Sequence, residues 1–201
     1  MRQTLTLLLL LAIPSSGLGI ESPDYRVLDA GESYEIRLYG GYITADVHID
    51  SSFERAGNQA FRPLFRFISG SNAANQKISM TAPVEQQATG QGYRVSFVMP
   101  SDLDFESLPE PEDDRIQFKQ HQNVLVAALR YKGSWSKSRF ERYETELRTA
   151  LASTSYQACG SAIVARYNAP FTPGFLRRNE VLLKVSKGGC DADLTALENS
   201  R

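Results

Sequence analysis

The sequence predicts an α+β fold: duplicated ββαββ halves forming one antiparallel, distorted barrel-like sheet flanked by two helices. Three observations carry that expectation. Most segments alternate apolar and polar residues with the period of a half-buried strand, while two segments carry a helical stripe instead. The order strand, strand, helix, strand, strand is written twice, on either side of a Pro- and acid-rich linker, Ser101–Asp114. Finally, each half alone would leave a sheet face and sheet edges exposed, which favours joining the halves into one sheet.

Residues 1–19 differ in kind from the rest of the chain. Arg2 precedes an apolar run from Leu5 to Ile13, and Pro14-Ser15-Ser16-Gly17-Leu18-Gly19 comes next with small residues. These are the parts of a secretory signal, with the cut expected after Gly19 and residues 20–201 left as a single domain. The run is far short of the roughly 20 residues that span a bilayer, so no stable membrane insertion is expected after cleavage. Export to a periplasm or the extracellular space is the expected outcome.

Beyond Gly19, Tyr42–Ile49 places Ile43, Ala45, Val47 and Ile49 on one side and Tyr42, Thr44, Asp46 and His48 on the other. Similar patterns put strands at Tyr34–Tyr39, Tyr93–Met99, Arg115–Lys119, Val124–Tyr131, Ser161–Tyr167 and Glu180–Val185. Ser52–Ser69 aligns Phe53, Gly57, Ala60, Phe61, Leu64 and Ile68 on a helical face, and Ser138–Leu151 does so with Phe140, Tyr143, Leu147, Ala150 and Leu151. Gly70 supplies a stop for the first helix. Ser138, with Glu141 three residues on, has the pattern of a capping box for the second. Pro63, inside the first helix, removes a bond to the carbonyl of Gln59 and is expected to kink it. Ile36 and Leu38 have counterparts in Ile116 and Phe118, roughly eighty residues on, the sign of an internal duplication.

Lys and Arg number 22 against 23 Asp and Glu, so no global field gathers phosphates, and nucleic acid is not an expected partner. The chain carries no G-x-S-x-G, H-E-x-x-H, C-x-x-C or Walker-type loop. Of its two histidines, His48 falls on the polar side of a strand and His121 in the polar turn Gln120-His121-Gln122-Asn123, so both read as solvated. The carboxylates of Ser101–Asp114 read as a wet loop.

Five blocks carry a family resemblance. Lys77-Ile78-Ser79-Met80-Thr81-Ala82-Pro83-Val84 is answered by Tyr167-Asn168-Ala169-Pro170-Phe171 and Arg177-Arg178-Asn179-Glu180-Val181. Tyr34-Glu35-Ile36-Arg37 and the helical run from Phe61 to Asn72 agree in type and order. Together they resemble the SOUL/haem-binding-protein family over roughly residues 24–185. The resemblance implies a compact α+β module that binds tetrapyrroles in some members. It also implies a ligand lying along the first helix and near the loop joining the last two strands, which here means Phe65, Arg66 and the segment Phe171–Phe175.

A haem pocket requires an apolar slot, cations or donors for the propionates and, optionally, an axial ligand. Arg55, Arg62 and Arg66 share a stripe of the first helix beside Phe61 and Phe65. Either they receive propionates or they are the wet face of an amphipathic helix. Phe171 and Phe175 either close an apolar lid or form a rigid turn. The position of the axial histidine proposed in some relatives corresponds to Ala45, with His48 three residues away on the other face, so His48 is a weak metal candidate. Met80 is another, although in Lys77–Val84 it reads as buried strand packing.

Three functions stay open: a non-catalytic binder of haem or a related flat, anionic, apolar ligand; an enzyme acting on a tetrapyrrole or hydrophobic ester; and a protein-interaction domain with no small-molecule site. A disulfide is also expected. If Ser161–Tyr167 and Glu180–Val185 pair around a loop centred near Thr172–Phe175, Cys159 and Cys190 face each other at the base of the hairpin, and an oxidising compartment closes the bond.

Overall fold

The computed structural model describes residues 20–190; residues 1–19, where a secretory signal is expected, and the end of the chain from 191 lie outside the described residues. Nine strands and two helices run in the order β1 (Tyr25–Ala30), β2 (Tyr34–Tyr39), β3 (Tyr42–Ile49), α1 (Phe53–Ile68), β4 (Val84–Ala88), β5 (Tyr93–Val98), β6 (Ile116–His121), β7 (Val124–Tyr131), α2 (Lys137–Leu151), β8 (Gln157–Arg166) and β9 (Asn179–Ser186). All nine strands join one sheet in the order β1-β2-β7-β9-β8-β4-β5-β3-β6, every pairing being antiparallel. The sheet does not close on itself, because β1 and β6 remain at its edges. Leaving β1 aside, its order reads the same from either end when the two halves are exchanged. β2 crosses to pair with β7, and β6 crosses to pair with β3.

Alternation along the strands builds two different faces. One carries both helices. Val95, Phe97 and Met99 pack with Ala60, Leu64 and Phe67 of α1, while Val181, Leu183 and Val185 pack with Phe140, Leu147 and Leu151 of α2. Phe53, at the start of α1, belongs to this second cluster and stacks on Phe140 at 5.5 Å. The other face is covered too: Tyr39, Val126, Ala128, Ile163 and Leu182 form a third cluster, among buried charged and polar residues including Arg37, Asp46, Glu85 and Glu180. This corrects the expectation of a wet side for Tyr42–Ile49. Thr44 is 1% exposed and Asp46 7%, since the sheet curls over them, and among that set only His48 is exposed.

Several boundaries differ from the sequence pattern. β1 was not expected: its six residues are all exposed at an edge, where no buried stripe marks the strand. Lys77–Pro83 is not a strand; pairing starts at Val84, and the chain before it is held by backbone bonds such as Ile78 N to Ile68 O at 2.8 Å. α2 opens at Lys137, with Ser136 at its N-cap and no side-chain cap bond. Glu141 pairs with Lys137 one turn away in place of the expected capping box. α1 runs unbroken through Pro63 and stops where Gly70 takes φ 115°, a conformation that only glycine adopts freely. The buried Asn72 then ties the exit, donating to the carbonyls of Phe67 (3.0 Å) and Gln76 (2.8 Å) and accepting from Gln76 N (3.0 Å).

The disulfide joins Cys159 to Cys190, with Cα atoms 5.4 Å apart. The hairpin register differs from the one that suggested it. β8 and β9 pair Ile163 with Leu182, and beyond a bulge Cys159 lies opposite Lys184. Cys190 therefore reaches back from beyond the end of β9.

Candidate functional site

On the helix-bearing face, α1 and the β8–β9 loop enclose a groove of about 350 Å³, at the lower end of the range of small-molecule sites. Its position is set by register. Val84 of β4 pairs with Phe97 and Arg166, so these side chains share the face under α1, and Gly57, Asn58, Phe61 and Phe65 of that helix form the opposite wall. Met80, Thr81 and Ala82 approach from the chain leading to β4, Trp135 from the segment before α2, and residues from Arg166 to Phe171 from the hairpin loop.

The walls are mainly apolar, and several rings are left facing solvent. Phe61 is 36% exposed, Phe65 47% and Phe171 89%, with Phe61 and Phe65 stacked at 5.4 Å, as side chains four apart on a helix can be. The loop is held rigidly behind them: Arg177 donates to the carbonyls of Thr172 (2.7 Å) and Pro170 (2.6 Å), and its guanidinium lies 4.3 Å from the Trp135 ring. Trp135 in turn donates to Asn179 Oδ1 at 2.8 Å.

Of the residues singled out from sequence, Phe61, Phe65, Phe171 and Met80 line this groove together. Met80 is 37% exposed, which corrects its assignment to buried strand packing. Phe175 is 72% exposed and outside the lining. Arg55, Arg62 and Arg66 are exposed on α1 and do not line it either. Arg66 borders a separate hollow with Glu112, Asp113 and Asp114, so the acid linker is in part its counter-charge. Asp113 is held below the usual carboxylate range, chiefly by its bonds to Arg115, with Arg66 adding to the effect. His48 lies on β3, away from the groove.

His121 is the clearest departure from the sequence reading. It is 7% exposed, stacked on Tyr42 at 4.5 Å and 3.1 Å from Thr44 Oγ1 through Nε2. Burial, with Lys184, Lys119 and Arg94 nearby, pushes it down to about 3. It faces the inner side of the sheet, where two charged groupings lie. Glu180 accepts from Arg37 Nη1 (2.7 Å), Arg178 Nη2 (2.8 Å) and the Tyr167 hydroxyl (2.9 Å). Burial opposes its charge, but the two guanidinium groups hold it below the usual range. Glu85 has the opposite balance: burial and the Asp46 carboxylate push it up to about 7, against Arg94 and Lys184.

What sequence reasoning missed in the groove is Arg166, Trp135 and Gly57. All three are brought in by pairing between distant segments. Among the described residues, no group of three or more His, Cys, Asp or Glu side chains is arranged to hold a metal ion.

Comparison with known proteins gives one consistent family. The family described as SOUL heme-binding protein matches residues 20–184. Heme-binding protein 1 of Mus musculus is 27% identical over 177 residues, covering 82% of this chain and 92% of its own length. That of Xenopus tropicalis is 25% identical over 182 residues, covering 81% and 91%. Among solved structures, the C-terminal domain of EcmrR aligns with a TM-score of 0.59 at 12% identity, over 81% of this chain and 98% of that domain. A hydrolase from Listeria innocua aligns with a TM-score of 0.55 at 10% identity, over 79% and 94%. At such identities these two share the architecture alone.

Proposed function

Because this chain belongs to the SOUL haem-binding protein family, we propose that it binds haem or a related tetrapyrrole, without catalysing a reaction on it, in the groove between α1 and the β8–β9 loop. The observation that carries the reading is the set of exposed rings, Phe61, Phe65 and Phe171, gathered on the rim of one apolar groove. Exposed aromatic rings around a concavity are what a flat macrocycle needs in order to shed water on both faces. The residues present fit such a group through its ring. Neither histidine of the chain lines the groove, and Met80 offers a thioether as the soft donor on its wall.

Absorbance titration with haem tests this. The wild-type protein is expected to bind saturably with one haem per chain, and Asn58→Trp, which fills the groove from the α1 side, to bind at least tenfold more weakly. Phe65→Ala removes apolar contact worth about 1–2 kcal/mol, a loss of roughly 5- to 30-fold. His48→Ala leaves the haem spectrum unchanged. A spectrum altered by His48→Ala, with Asn58→Trp and Phe65→Ala both silent, places the ligand elsewhere.

Export belongs to the same proposal. The signal pattern of residues 1–19 and a disulfide that suits an oxidising compartment support it together. N-terminal sequencing of protein recovered outside the cytoplasm should begin at Ile20; an intact Met1 on all of the protein contradicts it.

A further inference from the structure

Arg166 ends β8 beneath Gly57 of α1 and lines the groove. Its guanidinium is packed between rings, 5.6 Å from the centre of Phe53 and 5.2 Å from that of Trp135. Its Nε is buried and makes no hydrogen bond. Among the described residues no carboxylate lies within ion-pair distance of it, although two other arginines of the sheet have such partners: Arg37 reaches Glu180 at 2.7 Å and Arg94 reaches Asp46 at 3.6 Å. A guanidinium held in apolar surroundings without a counter-ion is costly, and burial lowers the pKa of Arg166 to about 10, with Arg177 contributing to the shift and Tyr131 opposing it.

The surroundings are shaped to keep it there. A Cβ on Gly57 would come within 2.5 Å of Arg166 Nη1, so the glycine leaves the guanidinium room under α1 and a larger residue there would push it aside. Apart from the exposed Asn58, the polar side chains of the wall are already engaged. Thr81 Oγ1 donates to Val98 O at 2.6 Å, Trp135 Nε1 to Asn179 Oδ1, and the Tyr167 hydroxyl to Glu180, while Asn168 Oδ1 accepts from Arg178 N at 2.6 Å. The groove thus has an apolar rim and one unmatched positive group on its wall.

Building on the tetrapyrrole reading, we propose that Arg166 anchors a carboxylate of the ligand, pointed inward, so that the groove selects flat apolar carboxylates over their neutral counterparts. For haem this puts one propionate inside the groove and leaves Arg62 and Arg66 without a part in binding it. A planar fork of donors suits a carboxylate in this position better than an ammonium would.

Haem and haem dimethyl ester, titrated against the wild type, Arg166→Gln, Arg62→Gln and Arg66→Gln, separate the two ideas, with circular dichroism confirming that each variant is folded. The wild type should prefer haem over the ester at least tenfold. Arg166→Gln should weaken haem at least tenfold and leave the ester within about twofold, abolishing the preference, while Arg62→Gln and Arg66→Gln keep it. If Arg166→Gln does not fold, Gly57→Ala, which displaces the guanidinium, takes its place with the same expected loss. A preference that survives the loss of Arg166, or that disappears in Arg62→Gln or Arg66→Gln instead, overturns the anchor and leaves the tetrapyrrole reading standing. If haem does not bind the wild type, 1-pyrenebutyrate and 1-pyrenebutanol decide. An Arg166-dependent preference for the acid keeps the anchor while the tetrapyrrole reading fails, and equal or absent binding of the two removes both.

Discussion

Glu85 and His121 are both drawn toward their neutral forms on the inner face of the sheet, and their effects on stability run in opposite directions with pH. Glu85 titrates near 7 when folded, above its ordinary value, so its contribution is full at acid pH and is lost as pH rises through about 7. His121 titrates near 3 when folded, below its ordinary value, so its contribution is present above the usual histidine range and is lost as pH falls toward 3. Glu85→Gln should therefore be more stable than the wild type at pH 8, by at most about 3 kcal/mol, with the difference closing by roughly pH 4. His121→Gln, which can keep a bond to Thr44, should flatten the loss of stability on the acid side. Denaturant unfolding across pH measures both, and parallel curves for wild type and variants would contradict the assignments. Neither environment was legible locally. Gln120-His121-Gln122-Asn123 is polar throughout and reads as a turn, and the ring that buries His121 belongs to Tyr42, on a strand far away in sequence. Phe61 and Phe65 were legible, because a spacing of four on a helix puts two rings side by side whatever the rest of the chain does.

Among the elements, strands with an alternating apolar stripe and the two amphipathic helices were readable from period alone. Tyr34–Tyr39, Tyr42–Ile49 and Val124–Tyr131 run as expected. β1 was not, since an edge strand with every residue exposed has no stripe to read. The β8–β9 hairpin shows how a correct pairing can come from an approximate register: the cysteines meet although the bulge between Cys159 and Ile163 shifts the ladder. The bridge closes a span of 31 residues, and in a chain-entropy account its loss costs about 4 kcal/mol. Cys159→Ser should lower the unfolding free energy by that order. Thiol counting on denatured, unreduced wild-type protein should find no reactive thiol, and two would mean that the bridge is not formed.

For the whole molecule, one sheet separates two kinds of interior. The helix side supplies the packed core and, between α1 and the β8–β9 loop, the groove; the inner side holds the buried ion pairs. That division was partly legible: the repeated order of elements pointed to two halves in one sheet, but which strand crosses to the other half is a matter of long-range pairing that no local period records. Glu180 is the hub of the inner side, 0% exposed and bonded to two arginines and a tyrosine. Glu180→Gln leaves the buried Arg37 with only the half-exposed Glu35 for a carboxylate and should cost about 3–5 kcal/mol of unfolding free energy, read by denaturant melts. A loss below about 1 kcal/mol would show that water or Glu35, 2.7 Å from Arg37 Nε, takes over the charge.

The central claim is that the tetrapyrrole lies against α1 and the β8–β9 loop, and the methionines report on it without any substitution. The chain has three, Met1, Met80 and Met99, of which Met80 lines the groove and Met99 is buried in the α1 core. In the spectrum of methyl-13C-methionine protein, one equivalent of ferric haem, which is paramagnetic, should broaden the Met80 methyl signal beyond detection. A Met80 signal unchanged when haem is saturating would contradict that placement.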